Sequence, residues 1–155
     1  MSIIVPVLNE ERAIRTALGR LCLDFPDCKL VVVDGGSTDA TVEIASLHAT
    51  VIHSERGRAK QMNAGARHCS GEVLWFVHAD TEIDPAALAQ IRAAMSVPEV
   101  VGGGNWPGTC RRAWTARPLT ARRVAAHVDD CRRCGLEAAV YREIKSALAR
   151  QETRT

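Results

Sequence analysis

Four short runs of apolar, largely β-branched residues break off into polar residues, and stretches with helical spacing separate them. Ser2 to Leu8 ends at Asn9-Glu10, Leu30 to Val33 at Asp34-Gly35-Gly36, and Val73 to Val77 at His78-Ala79-Asp80; Val51-Ile52 is a briefer third run. Runs this short, apolar throughout rather than alternating, predict strands covered on both faces. Between them, Glu10 to Leu23 places Ala13, Ile14, Ala17, Leu18 and Leu21 on one helical face. Ser37-Thr38-Asp39 supplies capping residues for a helix through about His48. Gly57 to Cys69 reads as a helix of small residues that Gly71 breaks, and Asp84-Pro85 opens another with proline in its first turn. Strand and helix alternating at these intervals predict parallel strands joined by right-handed crossovers, an α/β fold of three layers. In such sheets a ligand sits beyond the carboxyl ends of the strands. The polar residues that follow the first, second and fourth runs therefore mark a site at one edge.

Four blocks carry a resemblance. Val5-Pro6-Val7-Leu8-Asn9-Glu10 and Val33-Asp34-Gly35-Gly36-Ser37-Thr38-Asp39 resemble the opening of family 2 glycosyltransferases. Arg58-Ala59-Lys60-Gln61-Met62-Asn63-Ala64-Gly65-Ala66 and Phe76-Val77-His78-Ala79-Asp80-Thr81 are similar to a bacterial branch of that family. The blocks keep the family's order and spacing and cover about the first two-thirds of the chain. The resemblance implies a Rossmann-like, three-layer half-domain of the GT-A type that binds a nucleotide-diphosphate sugar, UDP- or GDP-linked, and an inverting, metal-dependent transfer to an acceptor that the sequence leaves open.

The resemblance also implies roles. Asp34 would accept a hydrogen bond from the base, and Asp39 would contact ribose or base. Pro6 and Glu10 would wall the nucleoside, Asn9 and Ser37 would belong to the same nucleotide-sugar site, and Gly35 and Gly36 would leave room for a close backbone approach. Arg58 is the nearest cation for the diphosphate, with Asn63 and Gln61 on the same helix. Asp80 matches the last acid of the family's Asp-any-Asp motif, which holds Mg²⁺ or Mn²⁺. The first acid of that motif is His78 here, expected to ligate weakly or to support a ligand, an arrangement that Mn²⁺ accepts more readily than Mg²⁺. Each residue alone has a plainer reading, with Asp34-Gly35-Gly36 as a turn and Ser37 or Asp39 as a helix cap.

Composition changes after Gly102-Gly103-Gly104. Residues 1–104 hold 9 Lys+Arg against 13 Asp+Glu, whereas residues 105–155 hold 11 against 5. The expected organisation is a truncated nucleotide-sugar-binding domain over 1–104, a linker over 105–120 and a helical tail over 121–155, with helices near 121–131 and 136–150. The break suggests a truncated or fused product, with the acceptor half and its catalytic base missing; Asp129 and Asp130 match no family motif. In the tail, His127, Cys131 and Cys134 have the spacing His-x₃-Cys-x₂-Cys, which puts a histidine and two thiols within reach of one tetrahedral Zn²⁺. That stretch resembles the zinc-binding anti-sigma domain, although the only upstream cysteine for a fourth ligand, Cys110, lies in a region that does not match. A zinc-binding regulatory or interaction protein with a vestigial α/β part is thus the competing expectation. The basic tail carries one tyrosine and no stacking pattern, so no nucleic-acid partner is expected. No apolar run approaches a membrane span, and no export signal opens the chain. The expected location is cytoplasmic or peripheral to a membrane, with free thiols and self-association through an uncovered sheet edge.

Overall fold

The computed structural model describes residues 1–96, 100–104, 113–115 and 138–141. In chain order the elements are β1 (Ser2–Val7), α1 (Glu11–Asp24), β2 (Lys29–Asp34), α2 (Thr41–Ser46), β3 (Thr50–His53), α3 (Arg58–His68), β4 (Leu74–Val77), α4 (Ala87–Met95), β5 (Val100–Gly104), β6 (Ala113–Thr115) and β7 (Ala138–Tyr141). The strands form one sheet in the order β3-β2-β1-β4-β7-β5-β6.

Burial on both faces explains the unbroken apolar runs. Along β1, Ile3, Val5 and Val7 pack with Ile14, Leu18 and Leu21 of α1, Ala45 of α2, and Ala87 and Met95 of α4. Ile4, between them, packs on the opposite face with Met62, Ala66 and Cys69 at α3. The result is helix, sheet, helix: the three layers of a Rossmann-like α/β fold. Trp75 and Phe25 anchor the α1 side edge to face, with ring centroids 5.1 Å apart and planes at 71°. On the α3 side the helix comes so close that only glycine fits at position 65. A Cβ there would lie 2.5 Å from Ile4 Cγ2 and 3.0 Å from Val33 Cγ2.

β3, β2, β1 and β4 are all parallel. The chain runs outward from β1 to β3, then returns across the α3 face to place β4 on the other flank of β1. The switch point of the sheet therefore lies between β1 and β4. It is also where β1 outruns its neighbour: β1 pairs with β2 from Ser2 to Val7 but with β4 only from Ser2 to Ile4. Ser2 N–H donates to Val73 O and Gly35 N–H to Val7 O, so even positions of β1 face the β4 side. Pro6, which has no N–H, falls on that side past the last paired residue, where a central strand tolerates proline.

Three expectations change. The helix expected after the capping residues Ser37-Thr38-Asp39 and through about His48 spans only Thr41–Ser46, and Ser37 to Ala40 are drawn into hydrogen bonds with the loop after β1 and the start of α1. The sheet is mixed: β7 runs antiparallel to β4, β5 antiparallel to β7, and β6 antiparallel to β5. Residues expected in a helix over 136–150 supply β7, and residues expected in a linker supply β6. Ala138 to Tyr141 gains a backbone ladder on each flank, with β4 and with β5, and this outweighs a weak local helix preference. The glycines at the composition break belong to β5, where Gly102, Gly103 and Gly104 register against Tyr141, Val140 and Ala139. No helix among the described residues is long and apolar enough to cross a membrane.

Gly65→Ala is expected to lower stability by about 1–3 kcal/mol, the usual cost of overpacking. The urea-unfolding midpoint would fall at unchanged slope.

Candidate functional site

The carboxyl ends of the four parallel strands carry Leu8-Asn9-Glu10, Asp34 to Asp39, His53 and His78 to Asp80, all at one edge. The loops after β1 and β2 are stitched together before any ligand is considered. Asn9 N–H donates to Ser37 Oγ (2.9 Å) and Thr38 N–H donates to Asn9 Oδ1 (2.8 Å). Glu10 N–H donates to Thr41 Oγ1 (2.7 Å), Glu11 N–H to Asp39 Oδ2 (3.2 Å), and Ala40 N–H to Glu11 Oε2 (3.3 Å). Asn9 adopts φ 57°, a left-handed conformation that asparagine tolerates and that most side chains resist. Asp39 also accepts from Thr41 N–H at 3.0 Å and from its hydroxyl. The Thr41 hydroxyl bond, with those backbone donors, holds the Asp39 carboxyl below the ordinary range. Asn9, Ser37 and Asp39 thus brace the two loops against each other and open the second helix.

Asp34, the last residue of β2, is 2% exposed. Its Oδ2 accepts Gly36 N–H (3.0 Å), and Ser37 N–H reaches both oxygens, at 3.0 Å and 3.2 Å. His53 Nδ1 lies 3.3 Å from Oδ2, placed there by the parallel register that pairs Asp34 with His53. Burial pushes the Asp34 carboxyl up, but hydrogen bonds from Ser37, Gly36 and His53 outweigh it and leave the group below its ordinary value. The floor under this turn is Gln61 of α3, 5% exposed. Its side-chain amide donates to Val7 O (2.7 Å) and Val33 O (2.9 Å), clasping the ends of β1 and β2. A Cβ on Gly35 would stand 3.0 Å from the Gln61 amide. The room expected at Gly35 for a ligand is therefore taken by the protein's own side chain; at Gly36, with φ 97°, a Cβ would meet nothing within 4 Å.

The other expected residues are arranged around this pair of loops. Pro6 is buried in β1 and Glu10 is half-buried at the start of α1. Arg58 is the exposed first residue of α3, and Asn63 is half-buried one turn further on. Lys60, next to Arg58 in the basic cluster, pairs with Glu55. His78 is buried directly after β4, and Asp80, two residues on, is exposed. Asp80 opens onto a hollow of about 250 Å³ between α1 and the loop after β4, lined also by Thr16, Arg20, Thr81 and Glu82. A larger hollow, about 530 Å³, is lined by Cys22, Phe25, Cys28, Leu30 and His48 at the opposite, amino-terminal edge of the strands, away from these residues.

No three His, Cys, Asp or Glu side chains among the described residues converge on a metal position. One exposed carboxylate at a strand end fits the way Mg²⁺ or Mn²⁺ is commonly held, through one or two carboxylates with the substrate's phosphates completing the shell. Cys22, Cys28 and Cys69 are not joined in disulfides. His127, Cys131 and Cys134, with Cys110, Asp129 and Asp130, lie outside the described residues.

His53 and the clasping role of Gln61 escaped the sequence reading. The rule that found Asp34 and Asp80, a polar residue directly after an apolar run, also applies to His53 after Val51-Ile52. The run was too short to draw attention to its end.

The sequence profile of Glycosyl transferase family 2 matches residues 2–140, crossing the composition break and reaching β7. A PGL/p-HBAD biosynthesis glycosyltransferase of Mycobacterium tuberculosis is 36% identical over 105 residues, covering 59% of this chain and 40% of the relative. An uncharacterized glycosyltransferase of Mycobacterium bovis is 25% identical over 142 residues, covering 82% of this chain and 63% of its own. The chain therefore spans roughly two-fifths to three-fifths of these relatives' lengths. Among solved structures, a mannosyltransferase from Pyrobaculum calidifontis in complex with GDP-Man and Mn²⁺ superposes with TM-score 0.67 at 23% identity, over 97% of this chain and 46% of that one. Glucosyl-3-phosphoglycerate synthase from Mycobacterium tuberculosis in complex with UDP superposes with TM-score 0.66 at 22% identity, over 92% and 57%. At these identities the two structures establish the shared GT-A fold.

Two outcomes follow from the geometry. Because the Asp34 carboxyl is depressed in the folded chain, its stabilisation is complete above the unfolded-state value, about 3.9, and is lost as pH falls through the lower folded value. Asp34→Asn should therefore melt below the wild type at neutral pH, with the gap closing below about pH 4; equal melting curves at pH 7 would contradict this. Gln61→Leu removes the donor from two strand-end carbonyls and should cost about 1–3 kcal/mol in chemical denaturation.

Proposed function

We propose that this chain, which belongs to glycosyl transferase family 2, binds a nucleotide-diphosphate sugar across the carboxyl ends of β1, β2 and β4 and serves the transfer of that sugar to an acceptor hydroxyl. The observation that carries the reading is Asp34. It is an ionised carboxylate at the end of a central strand, held in one orientation by two backbone N–H groups and an imidazole. A fixed acceptor of this kind suits recognition of a ring N–H on a uracil or guanine base. Pro6 and Glu10 stand beside it as walls for the nucleoside. Asn9, Ser37 and Asp39 keep the two loops in register for the ribose. Arg58 and Asn63, at the start of α3, are the groups for the diphosphate. The GDP-Man and UDP complexes of the structural neighbours support a donor of this class.

Asp80 is the residue we assign to Mg²⁺ or Mn²⁺, together with the donor phosphates; buried His78 would support the turn that presents it. Such an ion neutralises the charge that develops on the leaving diphosphate. The family resemblance points to inversion, in which an acid removes the acceptor's proton. Against the zinc-binding alternative at His127, Cys131 and Cys134, the family match through residue 140 and the pairing of β7 with β4 support a glycosyltransferase reading of the same stretch.

Calorimetric titration with UDP and GDP, with and without Mn²⁺, tests the assignment. Micromolar binding of one of them, about −8 kcal/mol, is expected in the presence of Mn²⁺. Asp34→Ala should weaken it by about tenfold or more, the worth of a hydrogen bond to a charged group. Asp80→Ala should abolish the metal dependence. A folded chain that binds neither nucleotide would refute the proposal.

A further inference from the structure

The carboxylate assigned to the donor base is covered: the Asp34 side chain is 3% exposed. A base N–H approaching so covered a group meets the donors already there, and these differ in how firmly they are held. Gly36 N–H and Ser37 N–H are backbone groups at 3.0 Å, in a loop tied to the first by Asn9 N–H on Ser37 Oγ and Thr38 N–H on Asn9 Oδ1. Moving either breaks several bonds together. The remaining donor is His53 Nδ1, the longest contact at 3.3 Å, on a side chain that is 69% exposed. It occupies the last position of β3, the edge strand of the sheet. A side-chain rotation carries this ring into solvent at the loss of one long hydrogen bond.

We infer that His53 is the exchange residue of the site: its imidazole N–H holds the position on Asp34 Oδ2 that the ring N–H of the donor's base takes over. The inference rests on the proposed assignment of Asp34 to the base. One N–H donor replaces another while Gly36 N–H and Ser37 N–H stay on the same oxygen, so the exchange keeps the number of hydrogen bonds to the covered carboxylate unchanged. The exchange also selects the ligand class. Uracil and guanine offer a ring N–H at the base edge. Adenine presents an unprotonated ring nitrogen there, whose lone pair repels the carboxylate, so it has no ring donor to substitute for His53.

The test uses the full chain labelled with ¹⁵N at its imidazoles and titrated with UDP, GDP and ADP in the presence of Mn²⁺. Resonances are assigned through His53→Ala, and melting curves of both proteins are recorded alongside. UDP or GDP is expected to shift the His53 Nδ1 resonance towards that of a solvated imidazole, and ADP to leave it in place. His53→Ala, with no donor to displace, is expected to bind the same nucleotide about two- to fivefold more tightly, as for one modest hydrogen bond. Nucleotide binding with the His53 resonance unmoved, or weaker binding by a folded His53→Ala, would overturn the exchange while leaving Asp34 as the base reader. Binding that Asp34→Ala does not weaken, or no binding by wild type, would remove the base assignment and the exchange with it.

Discussion

The Gln61 side chain reaches from α3 to two backbone carbonyls, Val7 O and Val33 O, at the points where the two central strands end. The loops that follow these two strands are built outward from this clasp. The strand ends must be level for the loops after them to meet. Gln61 holds them level from beneath, in a buried position where an unmatched amide would be costly. It also crowds what stands above it: a Cβ on Gly35 would lie 3.0 Å from the amide, so a larger residue there would press on the clasp. The chain then turns at Gly36 and brings its N–H groups back onto Asp34. The close approach of α3 at Gly65 is the other half of the same constraint, since a helix further from the sheet would leave the amide short of both carbonyls.

On that floor, the two loops exchange local hydrogen bonds for bonds to each other. A segment such as Ser37-Thr38-Asp39-Ala40 would ordinarily cap its own helix. Here its N–H and oxygen groups divide between α2 and the start of α1, and the reciprocal use of Asp39 and Glu11 joins the two helix starts. The second helix is shorter as a result. The gain is a rim in which the polar groups of the two loops are largely matched to one another. Asp80 and Arg58 are exposed, and the β1–β4 ladder stops at Ile4 while β1 pairs with β2 as far as Val7.

The match over residues 2–140 and the length of the relatives together define what this chain represents. The shared part belongs to glycosyl transferase family 2, and the geometry of Asp34 and its loops within it is set by local packing. The relatives are longer than the part of them that this chain matches. That β7 joins the sheet between β4 and β5 extends the fold past the change in charge balance, because a backbone ladder is indifferent to the net charge of the chain around it.

The four parallel strands, the helices between them and the edge that bears the site were legible in the sequence. A strand buried on both faces must be apolar throughout, and a polar residue that ends such a run must stand at the sheet's rim. Asp34 and Asp80 were found by that rule, and the same rule would have reached His53. What only the tertiary structure decided concerns pairs distant in sequence. Asp39 and Asn9 brace each other's loops across about thirty residues; Gln61 supports strand ends rather than facing a ligand; Ala138 to Tyr141 is a strand. In each case the local sequence is compatible with two outcomes of similar energy, a cap or a brace, a contact or a clasp, a helix or a strand. Hydrogen-bond partners brought close by the folded sheet select one of them. Periodicity records which residues a segment must bury, and only the assembled sheet determines which distant backbone groups it meets.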